Sequence, residues 1–253
     1  MPPPTDITTL ELPAVRVPAK SRWVLPAPTR TAPSRRRAAY DPDPVCRWLN
    51  VAVALLGIIL TAPVMIVVAL LVRITSPGPV IFTQPRVGVD RRSGRGNPTG
   101  GLGRRKSDRG GALFTIYKFR TMRTDPADGQ VWASRNDPRI TPIGRFLRAT
   151  RLDELPQLFN VLKGDMNIVG PRPEQPEIFE NLAREVYGYR ERQRVLPGIT
   201  GWAQVNHGYD QCLDDVKRKV ELDLEYIQRR SPSADLLIMA KTVPVMVLQK
   251  VWM

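Results

Sequence analysis

Apolar residues run without a charge from Val51 to Val72, the longest such stretch in the chain. At ~1.5 Å per residue a helix over it would reach roughly 33 Å, enough to cross the hydrocarbon core of a bilayer. Pro63 falls in the middle, where it removes a helix hydrogen bond and crowds the preceding turn. Both flanks are basic, with Arg35, Arg36, Arg37 and Arg47 before the stretch and Arg73 and a cluster from Arg86 to Arg109 after it. Basic loops favour the cytoplasmic side, so a crossing helix would leave one basic flank outside. A helix that enters, kinks at Ala62-Pro63 and returns to the same face keeps both inside. A single-pass anchor with a proline kink is the alternative.

Downstream the pattern shortens. Pro79 to Thr83 and Leu113 to Phe119 read as paired strands of a short β-hairpin, separated by a Gly-rich basic insertion over residues 90–112. Ile143 to Thr150 reads as a short amphipathic helix, with Ile143, Phe146 and Leu147 on one face. Leu155 to Lys163 is another, stopped by Gly164. Longer charged helices are expected over Glu174 to about Val195 and over Leu213 to Arg229. Ala234 to Trp252 is apolar but broken by Lys241, Pro244, Gln249 and Lys250, which suits a helix lying in a membrane interface with Trp252 at headgroup level. Residues 1–44 are Pro- and Arg-rich and read as a disordered tail with no secretory signal.

Charge gives the pattern a chemical direction. The 253 residues carry 38 Lys and Arg against 24 Asp and Glu, a formal charge of +14. Such an excess calls for an anionic partner. No stacking aromatic platform or recognition helix accompanies it, which argues against nucleic acid. The two cysteines, Cys46 and Cys212, are too few for a disulfide framework and fit a reducing compartment. A single histidine, His207, closes most schemes that depend on His.

The adjacent acids Asp153 and Glu154 stand between the basic helix and the Gly-Pro-Arg-Pro loop at 170–173. Lys118 and Arg120 end a strand in YKFRTM, Arg148 precedes Asp153 by five residues, and Arg172 lies in the loop. Arginine offers phosphate a planar fork and lysine a compact charge. A carboxylate can attack phosphorus to form an acyl phosphate, with the charge neutralised by Mg²⁺ held through one or two carboxylates and the substrate phosphates. The pattern therefore supplies a nucleophile, an acid/base neighbour, a metal ligand and anion clamps. Asp153 is equally placed to cap the following helix, and the arginines to form a solvated basic face.

The stretches PVIFTQPRVG, YKFRTM, NDPRITPIGRFLRATRLDELPQLFNVLKGDMNIVGPRP and PGITGWAQVN resemble the bacterial sugar transferases, the monotopic polyprenol-phosphate phosphoglycosyl transferases. The similarity runs from about Arg47 to the C-terminus. It implies transfer of a sugar-1-phosphate from a nucleotide diphosphosugar, commonly a UDP-sugar, to a polyprenol phosphate such as undecaprenyl phosphate, with Mg²⁺ or Mn²⁺ as cofactor. Carried over, Asp153 is the covalent nucleophile and a metal ligand, and Glu154 is its partner. Arg148 and Arg172 hold phosphate, with Lys118, Arg120 and Arg86 as neighbours of the site. Pro63 marks the kink of a re-entrant helix, although Ala62 stands where the family often has Ser. The insertion is longer than is usual in the family, and the absence of an N-terminal multi-span domain implies a minimal catalytic form.

The expected architecture is a helix-rich α+β domain (residues 76–253). It sits on the cytoplasmic face of the inner membrane through the re-entrant helix (45–75), amphipathic interface helices and surface lipids. Exopolysaccharide, capsule, O-antigen or related glycan synthesis is the implied setting. Homo-oligomerisation stays open, as does the identity of the sugar. The rival readings are a membrane-anchored basic scaffold that binds anions without catalysis and a hydrolase of lipid pyrophosphates.

Overall fold

A computed structural model describes residues 43–90, 111–123, 137–207 and 212–249. The tail at 1–42, most of the basic insertion and Trp252 lie outside the described residues. The fold is helix-rich α+β. Asp43 caps the first helix, α1 (Pro44–Thr75), accepting from the backbone N–H groups of Val45 and Cys46 at 3.0 and 3.2 Å. Pro44 then occupies the first turn, where its missing N–H costs nothing. The helix assignment continues through Pro63 for 32 residues, long and apolar enough to cross a membrane.

Strands β1 (Ile81–Val87) and β2 (Leu113–Phe119) pair antiparallel, Ile81 opposite Phe119 and Val87 opposite Leu113. β2 begins and ends where its β-branched and aromatic residues predict. β1 instead runs four residues past Thr83, carrying Pro85 opposite Thr115. A two-stranded sheet has only edge strands, so a proline without an N–H is tolerated there.

Helix α2 (Pro142–Thr150) is capped by Thr141, whose hydroxyl accepts from Gly144 N at 2.9 Å. A 3-10 turn (Leu152–Glu154) leads into α3 (Gln157–Lys163), which ends at Gly164 with φ 88°. Next come β3 (Asn167–Val169), α4 (Pro176–Glu185), a 3-10 segment (Tyr189–Arg194) and β4 (Gly198–Thr200). The single helix expected over Glu174 to Val195 is thus two pieces. Val186 is extended and Gly188 takes φ 78°, a left-handed turn that a continuous helix cannot contain. β3 and β4 pair parallel, Asn167 opposite Gly198. α5 (Trp202–Asn206), α6 (Leu213–Arg229) and α7 (Pro232–Gln249) complete the chain.

The N-terminal half of α1 enters the main core. Ala54 packs with Leu158, Val161, Val169, Trp202, Tyr226 and Ile238, among others. Asn50, fully buried, donates to Asp235 Oδ2 at 3.0 Å and accepts from the N–H groups of Ile168 and Val169 at 2.7 and 3.2 Å. Arg47 donates to the carbonyls of Met166 and Val161, closing the end of α3. The C-terminal half packs separately, with Val68 and Val72 against Phe119 and Leu147. Leu55, Leu56, Ile59, Leu60, Ile66 and Val67 remain exposed between and around these anchor points.

Candidate active site

The acid pair is positioned by a sequence of local constraints. Gly144 lets α2 press on the chain leaving β2, since a Cβ there would lie 2.0 Å from Thr121 O. α2 then stops at Arg151, which takes φ 59°, the one positive φ at a non-glycine position among the described residues. A left-handed residue with a side chain costs roughly 1 kcal/mol. It turns the chain so that Asp153 and Glu154 enter the interior, each 7% exposed. Neither caps a helix. The 3-10 turn and α3 have no side-chain cap hydrogen bond, so the capping alternative for Asp153 fails.

One oxygen of Glu154, Oε1, accepts from Lys118 Nζ and from Arg172 Nη2, both at 2.8 Å, with Arg151 Nη1 at 3.9 Å. Burial alone would raise the Glu154 carboxyl. Arg172, Lys118 and Arg151 overcome it and hold the group well below the usual carboxylate range. Asp153 is pushed the other way, to about 6, by burial first and by the Glu154 charge second, against the pull of Lys118, Arg151 and Arg148. Its Oδ1 is buried and has no hydrogen-bond partner among the described residues. Two neighbouring carboxylates are thus held differently: one more acidic and engaged by cations, the other more basic with an oxygen to spare.

The Gly170–Pro173 loop that carries Arg172 is fixed residue by residue. Gly170 N donates to Thr200 O at 2.9 Å, and Pro171 O accepts from Gly198 N at 2.9 Å. Arg172 O accepts from Arg192 Nη2 at 3.1 Å, and Pro173 O from Arg86 Nη1 at 3.2 Å. Next in line, Glu174 O accepts from Val87 N at 2.9 Å. This support leaves the Arg172 side chain free to bridge Glu154 while staying one-third exposed at the mouth of the site. A small open cleft beside it is lined by Arg86, Ile116, Lys118, Gln157, Arg172 and Pro173.

Lys118, Arg172 and Arg86 line this cleft, and Lys118 and Arg172 connect it to Glu154 and the adjacent Asp153. Arg148 stands behind it. Its guanidinium donates to Thr121 Oγ1 and Met122 Sδ, both at 3.0 Å, and its charge reaches Asp153. Arg120 goes elsewhere, donating to Ser76 O at 2.7 Å and Ser76 Oγ at 2.9 Å and so closing the end of α1. Sequence reasoning had missed Arg151, whose left-handed turn carries no pattern signal. It had missed Gln157 as well, a neutral amide one helical turn beyond the acids. His207 lies away from the acids, with Nε2 3.8 Å from Asp215.

Among the described residues no group of three or more His, Cys, Asp or Glu side chains gathers to hold a metal. Mg²⁺ does not need one, because it is commonly held by one or two carboxylates and the substrate's own phosphates. The unpartnered Asp153 Oδ1 beside Glu154 fits that donor set.

A sequence model of the bacterial sugar transferases matches residues 43–95 and 101–249, a span that includes every residue of this cleft. The chain belongs to the bacterial sugar transferase family. Among members of known name, it is 41% identical over 198 residues to the UDP-N-acetylgalactosamine-undecaprenyl-phosphate N-acetylgalactosaminephosphotransferase of Aeromonas hydrophila. That match covers 78% of this chain and 42% of the relative. It is 42% identical over 197 residues to the UDP-glucose:undecaprenyl-phosphate glucose-1-phosphate transferase of Escherichia coli K12, covering 77% of this chain and 38% of that protein. An exopolysaccharide production protein of Rhizobium leguminosarum bv. phaseoli is 35% identical over 207 residues, 78% of this chain and 92% of its own length. The chain therefore spans about two-fifths of the first two relatives and nearly all of the third. The bacterial sugar transferase named for glucose and the one named for N-acetylgalactosamine are almost equally similar to it, so overall similarity does not select the sugar.

Proposed function

We propose that this bacterial sugar transferase moves a sugar-1-phosphate from a UDP-sugar to undecaprenyl phosphate through a phosphosugar carried on Asp153. The observation that carries the reading is the asymmetry of the acid pair. Glu154 is engaged by two cations through Oε1, whereas Asp153 keeps a buried oxygen without a partner and a raised basicity. The names of the relatives supply the substrate classes.

In the first half-reaction a carboxylate oxygen of Asp153 attacks the phosphorus that bears the sugar. A new P–O bond forms, the bond to the nucleoside monophosphate breaks, and UMP leaves with the electron pair. In the second, an oxygen of the lipid phosphate attacks the same phosphorus and Asp153 departs as free carboxylate, leaving polyprenol-diphosphate-sugar. Arg172 and Lys118 neutralise phosphate charge while keeping Glu154 ionised, and Arg148 and Arg151 add to the positive field around Asp153. Mg²⁺ or Mn²⁺, held by Asp153 with Glu154 beside it, supplies further charge neutralisation when bound.

The lipid substrate places this chemistry at a membrane. α1 contributes exposed apolar surface, and Phe146 on α2 with Phe159 and Leu162 on α3 extend it along the two helices that pack against α1. Both halves of α1 are anchored on one domain, by Asn50 and Ala54 at one end and by Val68 and Val72 at the other. That arrangement supports a re-entrant helix whose ends share the cytoplasmic face, with Pro63 providing the bend.

The test is to incubate the full chain in lipid nanodiscs with UDP-glucose or UDP-N-acetylgalactosamine and no lipid acceptor. A covalent adduct of phosphosugar mass on Asp153, matched by UMP release and discharged by undecaprenyl phosphate, is the expected result. An Asp153→Asn enzyme that still transfers would overturn the assignment, and free sugar phosphate in place of glycolipid would make the protein a hydrolase.

A further inference from the structure

Gln157 is the one neutral polar side chain that lines the cleft. It is 2% exposed, it lines the cleft, and its amide nitrogen has no hydrogen-bond partner among the described residues. Burying an amide N–H₂ without an acceptor costs stability, and native proteins seldom keep such a group without a use for it.

Its neighbours explain why the free protein offers no acceptor. The chain from Leu152 to Phe159 is closed by three-residue hydrogen bonds: Leu155 N to Leu152 O, Leu158 N to Leu155 O, and Phe159 N to Pro156 O. In such a stretch residues three apart stand over one another, so Gln157 sits one turn beyond Glu154 on the same face. The cleft's other polar side chains, Arg86, Lys118 and Arg172, are cations that can only donate. Two of them already share Glu154 Oε1. Four donors from four elements of the fold thus converge on one small space, an arrangement that an incoming anion would satisfy.

We infer that Gln157 donates its amide hydrogen bond to a phosphoryl oxygen of the group being transferred, as the neutral member of a phosphate cradle with Arg86, Lys118 and Arg172. The inference rests on the phosphoryl-transfer reading above and adds a residue to it. A neutral donor has a distinct use there: it fixes the orientation of the phosphate without adding charge that would hold UMP in place. The phosphoryl oxygen belongs either to the donor diphosphate or to the lipid phosphate, and the two half-reactions separate these sources.

The experiment compares wild type with Gln157→Met, which keeps the length and removes the donor, and Gln157→Glu, which keeps the shape and repels phosphate. Three quantities are read from the full chain in nanodiscs: melting temperature alone, the shift in it caused by UDP or inorganic pyrophosphate, and the rate of each half-reaction. Unliganded Gln157→Met is expected to melt at or above wild type, because an unpartnered buried donor has been removed. Its pyrophosphate-induced shift falls, and adduct formation slows by about ten- to hundredfold, the worth of a hydrogen bond to a charged group. Gln157→Glu loses more. Slowing confined to discharge by undecaprenyl phosphate would reassign the contact to the lipid phosphate. Two variants that both melt far below wild type would show that the side chain has a partner within the fold, and would overturn the proposal. So would unchanged half-reactions with an unchanged pyrophosphate shift. If wild type forms no adduct, the transfer reading fails, while the pyrophosphate shift still tests the cradle by itself.

Discussion

Arg192 Nε donates to Asp223 Oδ2 at 2.8 Å with both side chains shut off from solvent, and its Nη2 donates to the carbonyl of Arg172 at 3.1 Å. A buried ion pair on α6 and the preceding 3-10 segment is therefore wired to the backbone of the residue that bridges Glu154. Arg192 also lies over the ring of Tyr189, 4.8 Å from its centroid.

Asp223→Ala is expected to cost about 3–5 kcal/mol in chemical denaturation, because it strands a buried guanidinium. Replacing both partners by apolar residues, Arg192→Met with Asp223→Leu, recovers much of that loss. It does not recover transfer, since the Arg172 carbonyl still lacks its donor. Stability and turnover separating in the double variant is the diagnostic outcome.

Arg172→Lys keeps the charge and loses the fork. A single ammonium cannot hold Glu154 Oε1 and still present a planar pair of donors at the mouth of the cleft. Adduct formation should fall by roughly ten- to a hundredfold, with little change in melting temperature. Stopped assays of UMP release check it.

Much of this arrangement was legible in the chain. The charge-free run gave α1, the aromatic and β-branched run gave β2 to the residue, and the acids between Arg148 and Arg172 marked the candidate site. Lys118 and Arg120 both stand at the end of the strand expected in YKFRTM. β2 ends at Phe119, so Arg120 leaves that register and turns to Ser76. The spacing of Leu182, Val186 and Tyr189 predicts one helix after Glu174, and the left-handed Gly188 divides it. No pattern could show that the Asp153 side chain would lack a cap partner. That follows from the left-handed turn at Arg151, which has no signature in the sequence pattern.

Acid should weaken the loop's support through Glu174. Burial would raise this carboxyl, but Lys219 at 3.0 Å, with Arg192 and Arg86, lowers it from 4.5 to about 2. A carboxyl depressed in the folded state adds stability that is complete above its unfolded value and is lost as pH falls through its folded value. Melting temperature should therefore drop between about pH 4.5 and pH 2 by an amount worth on the order of 1–3 kcal/mol. Glu174→Gln flattens that limb of the profile. An unchanged profile in the variant would assign the acid sensitivity to other groups.

The ends of α1 offer a test of topology. Val45 and Pro79 are exposed on either side of the apolar stretch. In a Cys212→Ser background, cysteines at both positions should react with an impermeant thiol reagent from the cytoplasmic side only. Labelling of the two positions from opposite sides would establish a single pass.

Asn50 is the joint between anchor and domain. Asn50→Ala leaves the N–H groups of Ile168 and Val169 and a carboxyl oxygen of Asp235 without their partner, all in the interior. A loss of about 2–5 kcal/mol is expected from denaturation curves.

The packing of α1 at both ends also dictates an order of assembly. Ala54 belongs to the main core, and Val68 and Val72 supply half of another cluster. The domain's interior is therefore incomplete without residues that precede it on the ribosome. The helix is made first and must wait until β2, α2, α3 and α7 arrive to close around it. The helix is then part of how the domain matures, and a proteolytic cut after Thr75 would leave an opened core, not an intact domain.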